Sequence, residues 1–215
     1  MQRSDLEPNP NRKTADVLPL PYARSHEAAS ALADAFHDYP VMRFILADAG
    51  DVYDERLDAL IGSYVRAKVL RRHPILGLEE QGLVVGVATL SPPGELEAMP
   101  EILSEREALW ELLGPGGRAR QEKLIEVWGR LEPSGPHYTL NMLGVRRAYA
   151  GTGYGRRLLD AVHDISSRDP ASEGVILSTE DPKNVLLYEH FGYEVRSHER
   201  VAEDLETWIL FRKND

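Results

Sequence analysis

Two spacings of apolar residues alternate along this chain. From Ser25 to Phe36 the apolar positions recur at helical intervals, with Ser25 as the candidate N-cap. His37-Asp38-Tyr39-Pro40 breaks that run, and Val41 to Ala47 resumes a short helical stretch. Asp54 to Arg72 predicts a longer amphipathic helix, because Leu57, Leu60, Ile61, Tyr64, Val65 and Lys68 fall on one face; Pro74 stops it. The period then shortens. Ile75 to Glu79 and Leu83 to Ser91 predict two strands joined at Gln81-Gly82 as a hairpin, and Pro92-Pro93-Gly94 ends the sheet run.

Residues 95–133 return to helical spacing. Two segments, Glu101–Leu113 and Arg118–Arg130, are separated by Gly114-Pro115-Gly116-Gly117 and predict a helical insertion rather than a separate domain. His137 to Val145 predicts a strand, followed by a glycine-spaced turn and a helix to about Arg168. Val175 to Ser178 reads as a short buried strand. Pro182 sits well in the first turn of a helix to Phe191, which Gly192 ends. Tyr193 to Val201 and Leu205 to Lys213 close the chain as two strands. The order of elements predicts an α/β (α+β) domain over residues 17–215, with helices on both faces of a mixed sheet. Residues 1–16 are polar, carry Pro8 and Pro10, and read as a loose tail.

The segment Leu143-Gly144-Val145-Arg146-Arg147-Ala148-Tyr149-Ala150-Gly151-Thr152-Gly153-Tyr154-Gly155-Arg156-Arg157 carries the clearest chemistry. Three glycines at alternate positions let the backbone turn tightly and aim several N–H groups one way. The helix that follows directs the positive end of its dipole to the same point, an arrangement suited to a phosphate or pyrophosphate. The same spacing also makes an ordinary tight turn, so the glycines alone leave both readings open.

Composition narrows the function. The 215 residues contain no cysteine, which excludes a cysteine nucleophile, thiolate metal sites and disulfides, and fits a cytoplasmic protein. The net charge of −10 argues against a nucleic-acid surface as the main business of the chain. No apolar stretch is long enough to span a bilayer, and no basic start with an apolar run suggests a secretory signal. No histidine spacing of the HExxH kind indicates a metal.

At Ala150-Gly151-Thr152-Gly153-Tyr154-Gly155 and Leu187-Tyr188-Glu189-His190-Phe191-Gly192-Tyr193 the chain resembles the GCN5-related N-acetyltransferase (GNAT) superfamily. In that family a Q/R-x-x-G-x-G/A turn cradles the pyrophosphate of acetyl-CoA, and a later helix carries L-Y-x-x-x-G-F. The closing third is similar to the puromycin N-acetyltransferase type through Thr179, Pro182, Asn184, Tyr188, Phe191-Gly192, Thr207-Trp208 and Arg212-Lys213. The resemblance implies a mostly antiparallel central sheet, with the helical insertion between strands 3 and 4. It also implies that the strand ending at Val145 splays from its neighbour, so that acetyl-CoA fills the gap.

The residues implied for the cofactor are Leu143, Gly144, Val145, Ala150, Gly151, Thr152, Gly153, Tyr154, Gly155, Arg156 and Asn184, with Tyr188 as general acid. Three positions depart from the family, one of them Ser178, which stands, with Glu180 nearby, where the family often has a glutamate on the strand before the later helix. Ala150 replaces its Gln or Arg, leaving backbone N–H groups and Arg146, Arg147, Arg156 or Arg157 to hold phosphate. Asp181 stands where the family commonly has Asn.

Tyr188 suits the acid role because a phenol, with a pKa of roughly 10, can hydrogen-bond or protonate a departing thiolate; the alternative is a tyrosine that merely packs on a helix. The general base is open. His137, Glu180, Asp38, Glu101, Glu105, Glu107 and Glu111 are candidates. Each reads more simply as a capping or solvated group, and a water relay needs none of them. Asn141 falls on the same side of its strand as Leu143 and Val145 if the alternation is unbroken. His37-Asp38-Tyr39 and the insertion are expected to wall the acceptor pocket. Trp110 and Trp128 either line it or pin the insertion to the core.

The expected function is acetyl-CoA-dependent transfer to a primary amine of a small molecule, by direct attack in a ternary complex, in a monomer or homodimer. A protein or peptide N-acetyltransferase and a non-catalytic acyl-CoA sensor are the alternatives.

Overall fold

The structure, a computed structural model, describes residues 16–94, 98–131 and 135–215. The tail expected over residues 1–16 lies outside the described residues except for Asp16. The described chain opens on a strand that periodicity did not signal, β1 (Val17–Pro19), too short at three residues to show alternation. A 3-10 turn at Tyr22–Arg24 runs straight into helix α1 (Ser25–Phe36). Ser25 is therefore a helical residue and not the expected cap, which is Arg24 with no side-chain cap bond.

Pro40 begins the short helix α2 (Pro40–Ile45), where its missing N–H costs nothing. Helix α3 (Tyr53–Leu70) buries Leu57, Leu60, Ile61 and Val65, the stripe predicted from spacing. Strands β2 (Ile75–Glu80) and β3 (Leu83–Ser91) form the expected hairpin.

The insertion is helix α4 (Pro100–Leu131), between β3 and strand β4 (Tyr138–Val145). Its two predicted segments are not parted by a four-residue loop. Gly114 alone leaves helical geometry (φ 72°, ψ 175°), and Pro115 starts the second half of a kinked helix. Buried Trp110 donates to Gln121 Oε1 at 2.6 Å across the kink, tying its two arms.

Helix α5 (Tyr154–Arg168), strand β5 (Gly174–Thr179), helix α6 (Pro182–His190), and strands β6 (Glu194–Ala202) and β7 (Leu205–Lys213) complete the chain.

The strands form one seven-stranded sheet among the described residues, in the order β1-β2-β3-β4-β5-β7-β6. Every neighbouring pair is antiparallel except β4 and β5. One core joins α1, α2, α3 and α4 to the first face through residues such as Leu32, Ile45, Leu60, Leu124 and Val87. A second joins α5 to the opposite face through Leu158, Val162, Leu90, Leu140 and Leu177. Burying these faces drives the assembly, at about 25 cal/mol per Å² of apolar surface.

Candidate active site

The parallel pair β4–β5 is joined only from Tyr138↔Val175 to Leu140↔Leu177. Beyond that point β4 runs on to Val145 paired with β3 alone, while β5 runs on to Thr179 paired with β7 alone. The facing edges of the two strands therefore part in the middle of the sheet. A cavity of about 540 Å³ fills the gap, with Leu143, Gly144 and Val145 on one wall and Ser178, Glu180, Asn184 and Tyr188 on the other. Tyr39, Met42, Tyr64, Lys68 and Trp128 border it from α1–α4 and their connections. Gly144 is needed for close approach, since a Cβ there would lie 2.7 Å from Ala35 Cβ on α1.

A bulge sets which way β4 faces. Its register with β3 slips between Thr89↔Met142 and Leu90↔Leu140, leaving Asn141 as the extra residue. Tyr138 and Leu140 pack toward α5, but so do Leu143 and Val145, so the alternation is broken at this point. Asn141 therefore does not share a side with Leu143 and Val145, contrary to the unbroken reading. Its Oδ1 accepts from Ser91 Oγ at 3.0 Å, and Ser91 Oγ accepts from Lys68 Nζ of α3 at 2.6 Å.

The glycine turn stands at the end of β4. Gly151 and Gly153 have φ of 77° and 82°, and a Cβ on either would meet nothing within 4 Å. The turn is thus an open, left-handed cradle leading into the first N–H groups of α5. Ala150 and Gly155 flank it on the chain. The Thr152 hydroxyl is spent on Tyr149 O at 2.6 Å, and the Tyr154 phenol is buried against Glu80 Oε2 at 2.6 Å, which leaves these two residues their backbone groups to offer.

The four arginines are not equivalent. Arg146 donates to Val84 O and Ser30 Oγ, and Arg147 is held by Asp34 through its backbone N–H at 2.7 Å. Both are engaged in fixing α1 to β4. Arg157 reaches Asp16 at 3.7 Å. Arg156 remains exposed on the first turn of α5, 3.8 Å from Asp160.

Tyr188 and Glu180 face the cavity from the β5–α6 side. Asp181 caps α6 by accepting from Lys183 N at 2.9 Å, and Asn184 Nδ2 reaches Thr179 Oγ1 at 3.3 Å. Burial pushes the Tyr188 phenol up to about 12, with the charge of Glu180 the second cause.

Glu180 is the residue that sequence reasoning undervalued. It is 6% exposed, not a solvated charge. Burial raises its carboxyl to about 7, against the hydrogen bonds from Thr207, Trp128 and Tyr39 that favour its charge. Thr207 Oγ1 donates to Glu180 Oε1 at 2.8 Å and accepts from Trp128 Nε1 at 3.2 Å. The Tyr39 hydroxyl accepts from Glu180 N at 3.1 Å and bonds Thr179 Oγ1 at 2.8 Å. A carboxyl poised near neutrality beside a cavity can take up and release a proton at physiological pH. The available sequence signals were positional: Glu180 follows the end of a buried strand and lies near Ser178, where the resemblance implies a glutamate.

The remaining base candidates do not reach this space. His137 precedes β4 at the end opposite the glycine turn and stacks edge-on to Phe211 at 6.4 Å. Asp38 is exposed, paired with Arg43, and its carboxyl is held below the usual range by that guanidinium and by His37. Glu105 pairs with Arg66 at 3.0 Å, and Glu101, Glu107 and Glu111 are exposed on α4. The tryptophans divide: Trp128 lines the cavity, whereas Trp110 pins the kink.

A mixed sheet split at its one parallel pair, with a glycine cradle at the mouth of the split, is the architecture of the GNAT acetyltransferases, which draw their acetyl group from acetyl-CoA. Residues 119–195 match the family model described as an acetyltransferase (GNAT) domain. Solved structures agree with the fold along nearly the whole chain. A Corynebacterium glutamicum protein described as histone acetyltransferase HPA2 and related acetyltransferase is 20% identical, with a TM-score of 0.65 over 94% of this chain and 97% of its own. The Salmonella typhimurium acetyltransferase yncA, solved with acetyl-CoA, is 17% identical with a TM-score of 0.54 over 94% of each chain. The ribosomal-protein-S18-alanine N-acetyltransferase of Escherichia coli is 13% identical, with a TM-score of 0.56 over 93% of each.

Proposed function

We propose that residues 17–215 act as a single N-acetyltransferase domain that moves an acetyl group from acetyl-CoA to a primary amine of a small molecule, by direct attack in a ternary complex. The observation that carries this reading is that Glu180 and Tyr188 face one cavity together, from the same wall, at the β4–β5 split. The parted edges and the open turn at Gly151 and Gly153 suit the cofactor: Leu143–Val145 offer strand backbone to its arm, and the N–H groups from Gly151 to Arg156 converge on its diphosphate.

Acetyl-CoA supplies the thioester. Glu180, with its carboxyl near 7, holds the proton that an acceptor ammonium must lose. Tyr188 directs its hydroxyl hydrogen to the leaving sulfur. The two are coupled: the Glu180 charge helps keep the Tyr188 phenol weakly acidic, and uptake of a proton by Glu180 removes that charge. Tyr188 thus becomes a better donor once the amine has been deprotonated. This replaces the water relay expected from sequence with a named base.

A small acceptor is favoured over a protein because Tyr39 and Trp128 close around the Glu180 side of the cavity. The cysteine-free sequence supports a cytoplasmic location and excludes an acetyl-cysteine intermediate. Among the described residues no helix is long and apolar enough to cross a membrane.

A thermal-shift titration with acetyl-CoA, followed by thiol release across a panel of amines, tests the reading. Ligand at a hundred times its dissociation constant should stabilise the fold by about 2.7 kcal/mol. Absence of any shift refutes cofactor binding, and a shift without thiol release identifies a sensor.

A further inference from the structure

Another polar group borders the same cavity as Glu180 and is unused by the chemistry above. Lys68 projects from α3, and its ammonium is largely buried, donating to Ser91 Oγ at 2.6 Å. No carboxylate among the described residues pairs with it; the neighbouring charge that it feels is that of Arg71, which is of like sign. Burial and that neighbour lower it to about 8, so it is still largely protonated at pH 7. A buried cation without a counter-ion is costly, and here two of its three hydrogens remain for a partner. Asn141 stands beside it, displaced into the bulge of β4. Its Oδ1 is held by Ser91, which leaves the Nδ2 hydrogens as the group it offers to the cavity.

We infer that Lys68 Nζ and Asn141 Nδ2 form a carboxylate seat, so that the acceptor is an aminocarboxylate whose amine lies toward Glu180. The inference rests on the acetyltransferase reading and deepens it. The seat and the acidic Glu180 line one cavity, and the two groups together match a zwitterion. An acceptor bearing only cationic groups, such as a polyamine, would meet Lys68 with repulsion. The walls between, from Tyr39, Met42 and Trp128, suit an apolar or aromatic side chain.

The test compares L-phenylalanine, L-leucine and L-methionine with their primary amides as acceptors, by thiol release at pH 7.5. The amide preserves size and removes the charge. It is also the less protonated amine at this pH, so amine reactivity alone favours the amide. Wild-type protein should show kcat/KM at least tenfold higher for the acids. Lys68→Met should bring the acid-to-amide ratio to about one, and Lys68→Arg should restore most of it. An amide used as well as its acid by wild-type protein overturns the seat while leaving the acetyltransferase reading intact. So does a ratio unchanged in Lys68→Met. Where Lys68→Met does not fold, the wild-type comparison decides the question without it. Failure of every amine despite acetyl-CoA binding overturns the acetyltransferase reading and the seat with it.

Discussion

Thr207 Oγ1 donates a 2.8 Å hydrogen bond to Glu180 Oε1 while accepting one from Trp128 Nε1. The carboxylate at the end of β5 is thus oriented by strand β7 and, through it, by the second arm of α4. The inserted helix does more than cover the sheet: it sets the direction of the group assigned to proton uptake.

Replacing Glu180 by Gln should lower kcat by about 10²–10⁴-fold with little change in acetyl-CoA affinity. The wild-type rate should rise with pH through a step near 7, as the carboxyl loses its proton, and then level off. A pH–rate profile that keeps this step in Glu180→Gln would remove Glu180 from the mechanism.

The same residue links stability to pH. Its folded carboxyl lies near 7 and its ordinary value is 4.5, so between these limits the folded state binds the extra proton. Stability should therefore fall as pH rises through that window, by up to about 3 kcal/mol for this one group. Glu180→Gln removes the penalty. Its melting temperature should exceed that of wild type at pH 8, and the gap should shrink toward pH 4.5.

Tyr188→Phe should lower turnover about a hundredfold or more while changing the dissociation constant of acetyl-CoA little. The ring keeps its place beside Tyr193, 5.5 Å away centre to centre, so packing is preserved. Unaltered turnover would show that the phenol is only a packed side chain.

Gly153→Val tests the cradle. The site is open, so the fold meets no clash, but a φ of 82° strains a β-branched residue by about 1–2 kcal/mol. The variant should remain folded by circular dichroism and lose acetyl-CoA binding in calorimetry. An unchanged dissociation constant would refute the diphosphate assignment.

Trp110→Phe should destabilise the chain by about 1–3 kcal/mol, because Gln121 Oε1 loses its buried donor. Acetyl-CoA affinity should stay as in wild type, since Trp110 does not border the cavity. A loss of affinity would show that the kink transmits to the site.

Much of this molecule could be read from the chain. Spacing alone placed α3, the β2–β3 hairpin and β7, because a period of 3.6 or 2 records which face of a local backbone is apolar. The glycine turn and Tyr188 were legible because backbone conformation and short motifs are local properties. Strand β1 was missed because three residues show no period. The bulge at Asn141 was missed because only the partner strand reveals an extra residue.

The environment of the ionisable groups belonged to tertiary structure. Glu180 looks like a loop charge in sequence, yet in the fold burial raises its pKa, while Tyr39 and Thr207, 141 and 27 residues away, bond to it and only partly offset that rise. Lys68 reads as one position on an amphipathic helix until Ser91 and Asn141 come to lie beside it. A sequence determines the order of donors, acceptors and apolar atoms along a backbone. The work of charging a group depends on the dielectric and on partners brought from distant segments, and these exist only after the sheet has closed around its split.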